Sequence, residues 1–349
     1  MSGTIVETVH ASDWHEVEGS IDSLHSHTLR SAADDIGRVR LAVLNIVAGC
    51  SDRAGDELAT KVVTALGEDH PARAIVILAN PDAEPAVEAD VSLLRKSVGE
   101  YEVYTELIHL AINGGLALHL ASVVTPLLVP DIPVDLWVVG AARLAQAFSE
   151  DAIELCSRII VDSGAYPDAR NTLQLLASQV NRDDLALVVA DIAWERMRIW
   201  RELTAQAFDP PGARPLLWRI TDVDLRSAGT APSAQVWLLA GWLASRLNWR
   251  DDGVTHRLSA DAKPVPGIAP GDLVYARYVA RDGDRLARFA IARHEDAVHV
   301  SFEIDGTSVE RTLPYREPDL VELLARLMDE AREDTIYPAA LTRAATLAR

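Results

Sequence analysis

The residues with most chemical potential sit in one turn, Gly49-Cys50-Ser51-Asp52-Arg53-Ala54-Gly55, between an apolar strand and an amphipathic helix. A thiol near a helix N-terminus feels partial positive charge that lowers its pKa, so Cys50 is the candidate redox group. The competing reading makes Cys50 a small, half-buried packing residue. The same turn is where a nucleotide-binding sheet holds phosphate, at the carboxyl ends of its strands. It lacks the Gly-x-Gly-x-x-Gly spacing and the Gly-Lys-Ser/Thr ending that would cradle a phosphate, so its small residues read as turn chemistry. Cys156 reads as helix packing. Two cysteines without a CxxC pair provide neither a disulfide framework nor a zinc site.

The other chemistry-bearing residues are scattered. On a helix, His25 and His27 would point about 200° apart, too far to share a metal. His10 and His15 lack an HExxH context, His70 precedes Pro71 at a turn, and His299 reads as a packing residue in a strand. No Gly-x-Ser-x-Gly is present, and Asp162-Ser163-Gly164 lacks the surrounding elbow. The acidic pairs Asp34/Asp35, Asp183/Asp184 and Asp251/Asp252 read as solvated loops. No catalytic, cofactor-binding or metal-ligating set is therefore expected, and the chain reads as a non-enzyme.

Aromatic residues point toward binding instead. Of 8 tryptophans in the chain, Trp194, Trp200, Trp218, Trp237, Trp242 and Trp249 fall within one short region. Asp191 can cap a helix in which Trp194, Met197 and Trp200 sweep one face, flanked by Arg196, Arg198 and Arg201. Aromatics beside arginines suit an interface, because a guanidinium stacks on rings and pairs with carboxylates. The candidate partner-binding residues are Trp194, Arg198, Trp200, Arg201 and Trp249. The competing reading makes this helix a junction between two domains, its tryptophans a shared core. Segment 236–249 is apolar almost all round, which places Trp237 and Trp242 in a core and leaves Trp249 at the helix end exposed.

The elements that must position these groups fall into two patterns. Residues 38–47, 73–79, 134–139 and 158–162 read as apolar strands, with 87–94 as a further one. Helices are expected at 55–66, 104–112, 116–126 and 141–148. Alternating apolar strands and helices imply an α/β domain with a mostly parallel, three-layer sheet. After Pro210-Pro211-Gly212 the pattern changes. A strand is expected at 216–220, a buried helix at 234–249, four alternating strands within 274–313 and a helix at 319–332. Asp282-Gly283 and Asp305-Gly306 are hairpin signals, so the second domain reads as α+β with an antiparallel meander. The expected division is a helical arm at 1–37 with one helix at 17–32, an α/β domain at 38–209 carrying the junction helix near 191–208, and an α+β domain at 210–349.

Bulk properties bound the partners. A length of 349 residues, 49% hydrophobic and 24% charged, suits two soluble domains. The net charge of −19 argues against nucleic acid. The longest apolar run, 111–130, holds His119, Gly114-Gly115 and Pro126 and reads as buried core, not a membrane span. No basic stretch leads into an apolar one at the N-terminus, so a cytoplasmic protein is expected.

Five blocks then converge: HPARAIVI (70–77), VVTPLLVPDIPVDLWVVG (123–140), RIIVDSG (158–164), DIAWERMRIWRE (191–202) with AFD (207–209), and LLAGWLASRLNW (238–249). In this order the set resembles the glucose-6-phosphate dehydrogenase assembly protein family, OpcA, over about residues 38–250. The resemblance implies a bacterial, non-enzymatic protein that binds glucose-6-phosphate dehydrogenase and promotes its active oligomeric state, at the first step of the oxidative pentose phosphate pathway. Such an allosteric activator works through protein–protein interaction and needs no cofactor. Cyanobacterial members are tied to thioredoxin-dependent control, which two unpaired cysteines here do little to support. The alternative, from sheet architecture alone, is a sugar-phosphate or nucleotide-binding enzyme or sensor using the α/β domain.

Overall fold

The computed structural model describes residues 4–11, 19, 23, 37–40, 42–67, 70–98, 101–182, 187–249, 256–329 and 334–348. The expected helix at 17–32 falls almost wholly outside them, as do His15, His25, His27 and the three acidic pairs.

The first sheet is built from β1 (Thr4–Ala11), β2 (Gly37–Arg40), β3 (Leu44–Cys50), β4 (Ala72–Asn80), β5 (Ala86–Val98), β6 (Tyr101–Asn113), β7 (Val134–Val138), β8 (Arg158–Val161) and β9 (Val188–Asp191). Their order is β1-β5-β6-β4-β3-β7-β8-β9, with β2 pairing to β6 off that path. From β6 through β4, β3 and β7 to β8 the strands run parallel, while β1 and β5 are antiparallel additions. Parallel strands covered on both faces must be apolar on both, and Ala72–Ile77 is buried without a break. Helix α1 (Arg53–Leu66) follows β3 and buries Ala59, Val62, Val63 and Leu66, while Asp52 starts it by accepting from the Gly55 N–H at 2.7 Å.

Two features pin this sheet. Arg73 and Glu106 lie opposite each other on β4 and β6 and form a buried ion pair of 3.0 Å, with Arg73 also donating to the Leu127 carbonyl at 2.6 Å. Asn45, buried on β3, accepts from the Val129 N–H and donates to the Val129 carbonyl, both at 2.9 Å, so an amide side chain fixes the loop that leads into β7. Such buried polar groups are tolerated because each is hydrogen-bonded.

Residues 104–112, expected as a helix, belong instead to β6. The segment is apolar at both odd and even positions and rich in β-formers, so its pattern does not separate a buried strand from a buried helix. Pairing with β4 on one side and β5 on the other decides it. The expected helix at 116–126 is present as short turns, an α-helical one at Leu120–Val124 between 3₁₀ turns.

The second sheet has the order β11-β10-β12-β13-β14-β15, from β10 (Ile220–Ser227), β11 (Arg257–Ala262), β12 (Leu273–Asp282), β13 (Arg285–Arg293), β14 (Ala297–Ile304) and β15 (Thr307–Pro314). The meander β12–β15 is antiparallel, as the Asp-Gly turns imply, and β11 joins β10 in parallel at the far edge. Gly283, Asp305 and Gly306 take positive φ, the geometry of tight hairpin turns. The strand expected at 216–220 is a 3₁₀ turn, Arg214–Arg219, and β10 begins where that strand was to end. Pro215 sits in the first turn of this segment and removes a backbone donor, which favours the turn over a ladder.

Five more helices matter for packing: α2 (Ala169–Val180), α3 (Arg198–Ala207), α4 (Ala234–Arg246), α5 (Leu320–Asp329) and α6 (Tyr337–Leu347). Nine of the thirteen residues of α4 are buried, as its all-round apolar pattern predicts. It crosses α6 at small residues, Gly241 against Ala340 and Ala344.

The chain forms two compact units. The first comprises Met1–Asp162, Asp183–Ala190 and Leu320–Asp329; the second comprises Ser163–Arg182, Asp191–Asp319 and Glu330–Arg349. The expected boundary at 209/210 therefore falls inside the second unit. Helix α5, assigned from its sequence position to the second domain, instead contacts α1 in the first.

Candidate functional site

The tryptophan–arginine segment is held by a polar cluster within the second unit. Buried Asp191 accepts from the backbone N–H of Ala193 (2.9 Å) and Ser163 (3.0 Å), and from the Tyr337 hydroxyl (3.1 Å). The expected cap is therefore present, but the helix it starts ends at Arg196, and α3 resumes after Met197. Trp194 and Trp200 are 4% and 2% exposed, so neither ring faces solvent. The Trp194 indole N–H donates to Asp334 at 2.6 Å, its ring lies 5.6 Å from Tyr337, and the Arg201 guanidinium sits 3.5 Å above it. Arg198 grips the buried Glu195 carboxylate through three bonds of 2.7, 2.8 and 3.0 Å.

The tryptophan rings of the expected face, Trp194 and Trp200, are thus turned inward, while Arg198 and Arg201 are half-buried. A buried indole N–H requires an acceptor and a buried carboxylate requires a cation, and these partners consume the groups that a docking face would present. Glu195, Asp334 and Tyr337, which hold Arg198 and Trp194, belong to the second unit. Trp249 is half-buried and stacks on His256 at 4.2 Å, while its carbonyl accepts from Arg343 at 2.7 Å. Trp237 and Trp242 are also half-buried. Among the described residues, the tryptophan that faces solvent is Trp218, 62% exposed on the 3₁₀ turn. Its flanks, Pro215 and Arg219, were the signal that it lay in a turn and not in a buried strand.

Cys50 ends β3, which has β4 on one side and β7 on the other. Chain connection reverses direction at this point, and the crevice beyond the carboxyl ends of such strands is where an open parallel sheet binds ligands. The crevice exists, lined by Cys50, Ser51, Asn80, Trp137, Arg143 and Gln146, but holds only about 100 Å³. Small-molecule sites occupy about 300 Å³ or more. Arg143, the cation on its wall, is paired with Asp82 at 2.8 Å. Asp52 takes the Gly55 N–H and, with Asp56, makes the helix start acidic. Among the described residues, no group of three His, Cys, Asp or Glu could hold a metal.

Cys50 is 3% exposed, and burial, reinforced by the Asp56 and Asp52 carboxylates, pushes its thiol up to about 12. The lowered pKa expected from the helix terminus is reversed, because desolvation and two anions outweigh a partial dipole charge. Cys156 is also raised to about 12, by burial first and then by Asp135. Neither thiol should react with iodoacetamide at pH 8 in the native protein. Mass spectrometry should find no adduct until denaturant is added, and rapid native alkylation of Cys50 would show that the crevice opens.

A different surface is open in the second unit. Phe208, Phe289 and Phe302 form a stack, with centroids 4.2 and 4.6 Å apart, that joins the end of α3 to β13 and β14. Beyond it the apolar face continues past the cover of the helix. Val309 and Leu313 on β15 are 48% and 37% exposed. A groove of about 350 Å³ runs there, with Leu203 and Pro210 on one bank and Phe302, Val309, Arg311 and Leu313 on the other.

Comparison with known proteins supplies a family. A model described as the glucose-6-phosphate dehydrogenase subunit N-terminal domain matches residues 63–178, and one for the C-terminal domain of the same subunit matches 187–341. Three cyanobacterial relatives are named for OpcA and the OxPP cycle. That of Synechocystis sp. is 27% identical over 54% of this chain, that of Nostoc punctiforme 28% over 57%, and that of Synechococcus elongatus 25% over 64%. The matches span 39%, 41% and 55% of those proteins, so this chain corresponds to about half of each. Among solved structures, an aldose-aldose oxidoreductase of Caulobacter crescentus aligns with 88% of this chain and 95% of its own. Identity there is 9% and the TM-score 0.42, a level at which neither substrate nor cofactor transfers.

Proposed function

The chain belongs to the glucose-6-phosphate dehydrogenase assembly family, OpcA, and from that premise we propose that it is a non-enzymatic accessory protein of the oxidative pentose phosphate pathway. It acts in the cytoplasm, binds glucose-6-phosphate dehydrogenase and favours that enzyme's active oligomeric state. The observation that carries this reading is the pair of subunit-domain matches, in order, over most of the chain. The small crevice at the β3–β7 switch point, with its one arginine paired and acidic residues beside it, gives a sugar-phosphate or nucleotide site less to stand on. Among the described residues, no helix is long and apolar enough to cross a membrane.

An activator of this kind can shift its partner's equilibrium only by binding one state more tightly than the other. Titration of this protein into the dehydrogenase of the same organism should therefore raise NADPH formation and complex mass together. Coupling of ordinary strength predicts a rise of roughly fivefold or more at subsaturating substrate. A flat rate and an unchanged mass at micromolar concentrations would overturn the proposal.

A further inference from the structure

We propose that β15 and the groove beside it dock an extended segment of a partner polypeptide, one that carries a carboxylate between apolar side chains. The segment would add to the second sheet as a further antiparallel strand. Three observations converge on this.

The first is the edge. β15 is the last strand of its sheet, all eight of its residues are exposed, and no described strand pairs with its outer side. Half of its backbone N–H and C=O groups therefore point outward, the template on which strand addition works.

The second is the face. In register, Val309 stands opposite Phe302, Arg311 opposite Val300, and Leu313 opposite Val298. The side chains on this face of β15 therefore read apolar, cationic, apolar, and they line the groove beside α3. An added strand would cover Val309 and Leu313 and gain the free energy of removing them from water.

The third is charge. Most arginines elsewhere in this sheet are paired: Arg277 with Asp224, Arg285 with Asp305, Arg288 with Glu303 and Arg293 with Asp272 and Glu317, with Arg281 on β12 an exception among the described residues. Among the described residues no carboxylate pairs with Arg311, although it sits between two apolar side chains. A carboxylate placed opposite it, flanked two residues away on each side by apolar groups, would complement the row.

The same row argues against a second copy of this chain. Two copies joined edge to edge are related by an axis normal to the sheet, so each residue meets one on its own face. The two registers with longest overlap then place either Arg311 opposite Arg311, with Val309 on Leu313, or Glu310 opposite Glu310. Like charges directly opposite destabilise a strand pair.

Identification of the partner as the dehydrogenase rests on the function proposed above; the chemistry of the groove does not. The test therefore has two arms. In one, a peptide of alternating valine and threonine with a central aspartate is titrated into the full chain, and its lysine twin in parallel. In the other, binding of the dehydrogenase is measured. Arg311→Glu and Val309→Asp are compared with wild type in both arms, and Glu310→Lys, on the opposite face, serves as the control. The aspartate peptide should bind wild type, lose at least about tenfold in affinity on Arg311→Glu, and yield there to the lysine twin. A preference that switches between the twins cannot come from misfolding.

If the peptides behave so but the dehydrogenase does not bind, the docking inference stands and the proposed function falls. If the dehydrogenase binds and neither Arg311→Glu nor Val309→Asp weakens it, docking at β15 is wrong and the proposed function stands. Equal affinity for both peptides, no binding of either, or a wild-type homodimer that Val309→Asp dissolves each overturns the docking inference.

Discussion

Replacing Gly241 by alanine should cost the second unit about 3 kcal/mol or more, the upper end of what overpacking does. The reason is geometric. A Cβ on Gly241 would lie 2.5 Å from the Ala344 nitrogen and 2.8 Å from its Cβ, and closer still to the Ala340 carbonyl oxygen. Real Cβ atoms do not approach other atoms so closely, and two of the three obstacles are backbone. No rotamer change can clear them, so α4 and α6 must separate. That separation would open the packing around Leu238, Leu239 and Leu341, all fully buried. At about 2–4 °C per kcal/mol for a unit of this size, the calorimetric transition should fall by roughly 6 °C or more. Ala344→Gly should not rescue the variant, because it removes only the side-chain obstacle. A melting transition unchanged by Gly241→Ala would mean the helices cross farther apart than described.

Glu106→Ala should destabilise the first unit by about 3–5 kcal/mol, because it strands the Arg73 guanidinium inside the sheet. Both side chains are almost fully buried, at 7% and 1% exposure. The pair itself need not be stabilising, since desolvating two ions costs about what their attraction returns. What is expensive is removing one member. The double variant Arg73→Met with Glu106→Leu should therefore recover most of the loss. It should retain about 1 kcal/mol of it, because the Leu127 carbonyl loses the Arg73 donor. Urea unfolding checks this through the midpoint. A double variant as unstable as Glu106→Ala would show that the ion pair contributes net stability of its own.

Both effects arise where local sequence is silent. Gly241 reads as a mild defect in a helix, and only its crossing with α6, about a hundred residues away, makes it obligatory. Arg73 and Glu106 are ordinary charges in sequence, and only the register of β4 against β6 brings them opposite each other. The hairpins at Asp282-Gly283 and Asp305-Gly306 were legible because their requirement for positive φ is met by the turn residues themselves. β4, β7 and β8 were legible because a strand buried on both faces must be apolar throughout, whereas the single strand expected at 38–47 is divided between β2, which pairs with β6, and the first part of β3. β6 was not, because a segment apolar on both faces satisfies helix and strand alike until its neighbours are present.

The candidate site divides along the same line. Composition marked the tryptophan segment as special, and the cap at Asp191 followed from its residue type. Whether Trp194 faced a partner or an interior depended on Asp334 and Tyr337, which lie far along the chain. Cys50 illustrates the limit most sharply: its position beside a helix start is a local fact that lowers a thiol pKa, whereas its burial is a global one that raises it. Taken by itself, the sequence determined family, the twice-buried strands β4, β7 and β8 and the hairpin turns, because each depends on residues close in the chain or on matched order. Tertiary structure alone decided which faces are buried, which charges are paired and which edge is open, because burial and pairing are properties of neighbours in space.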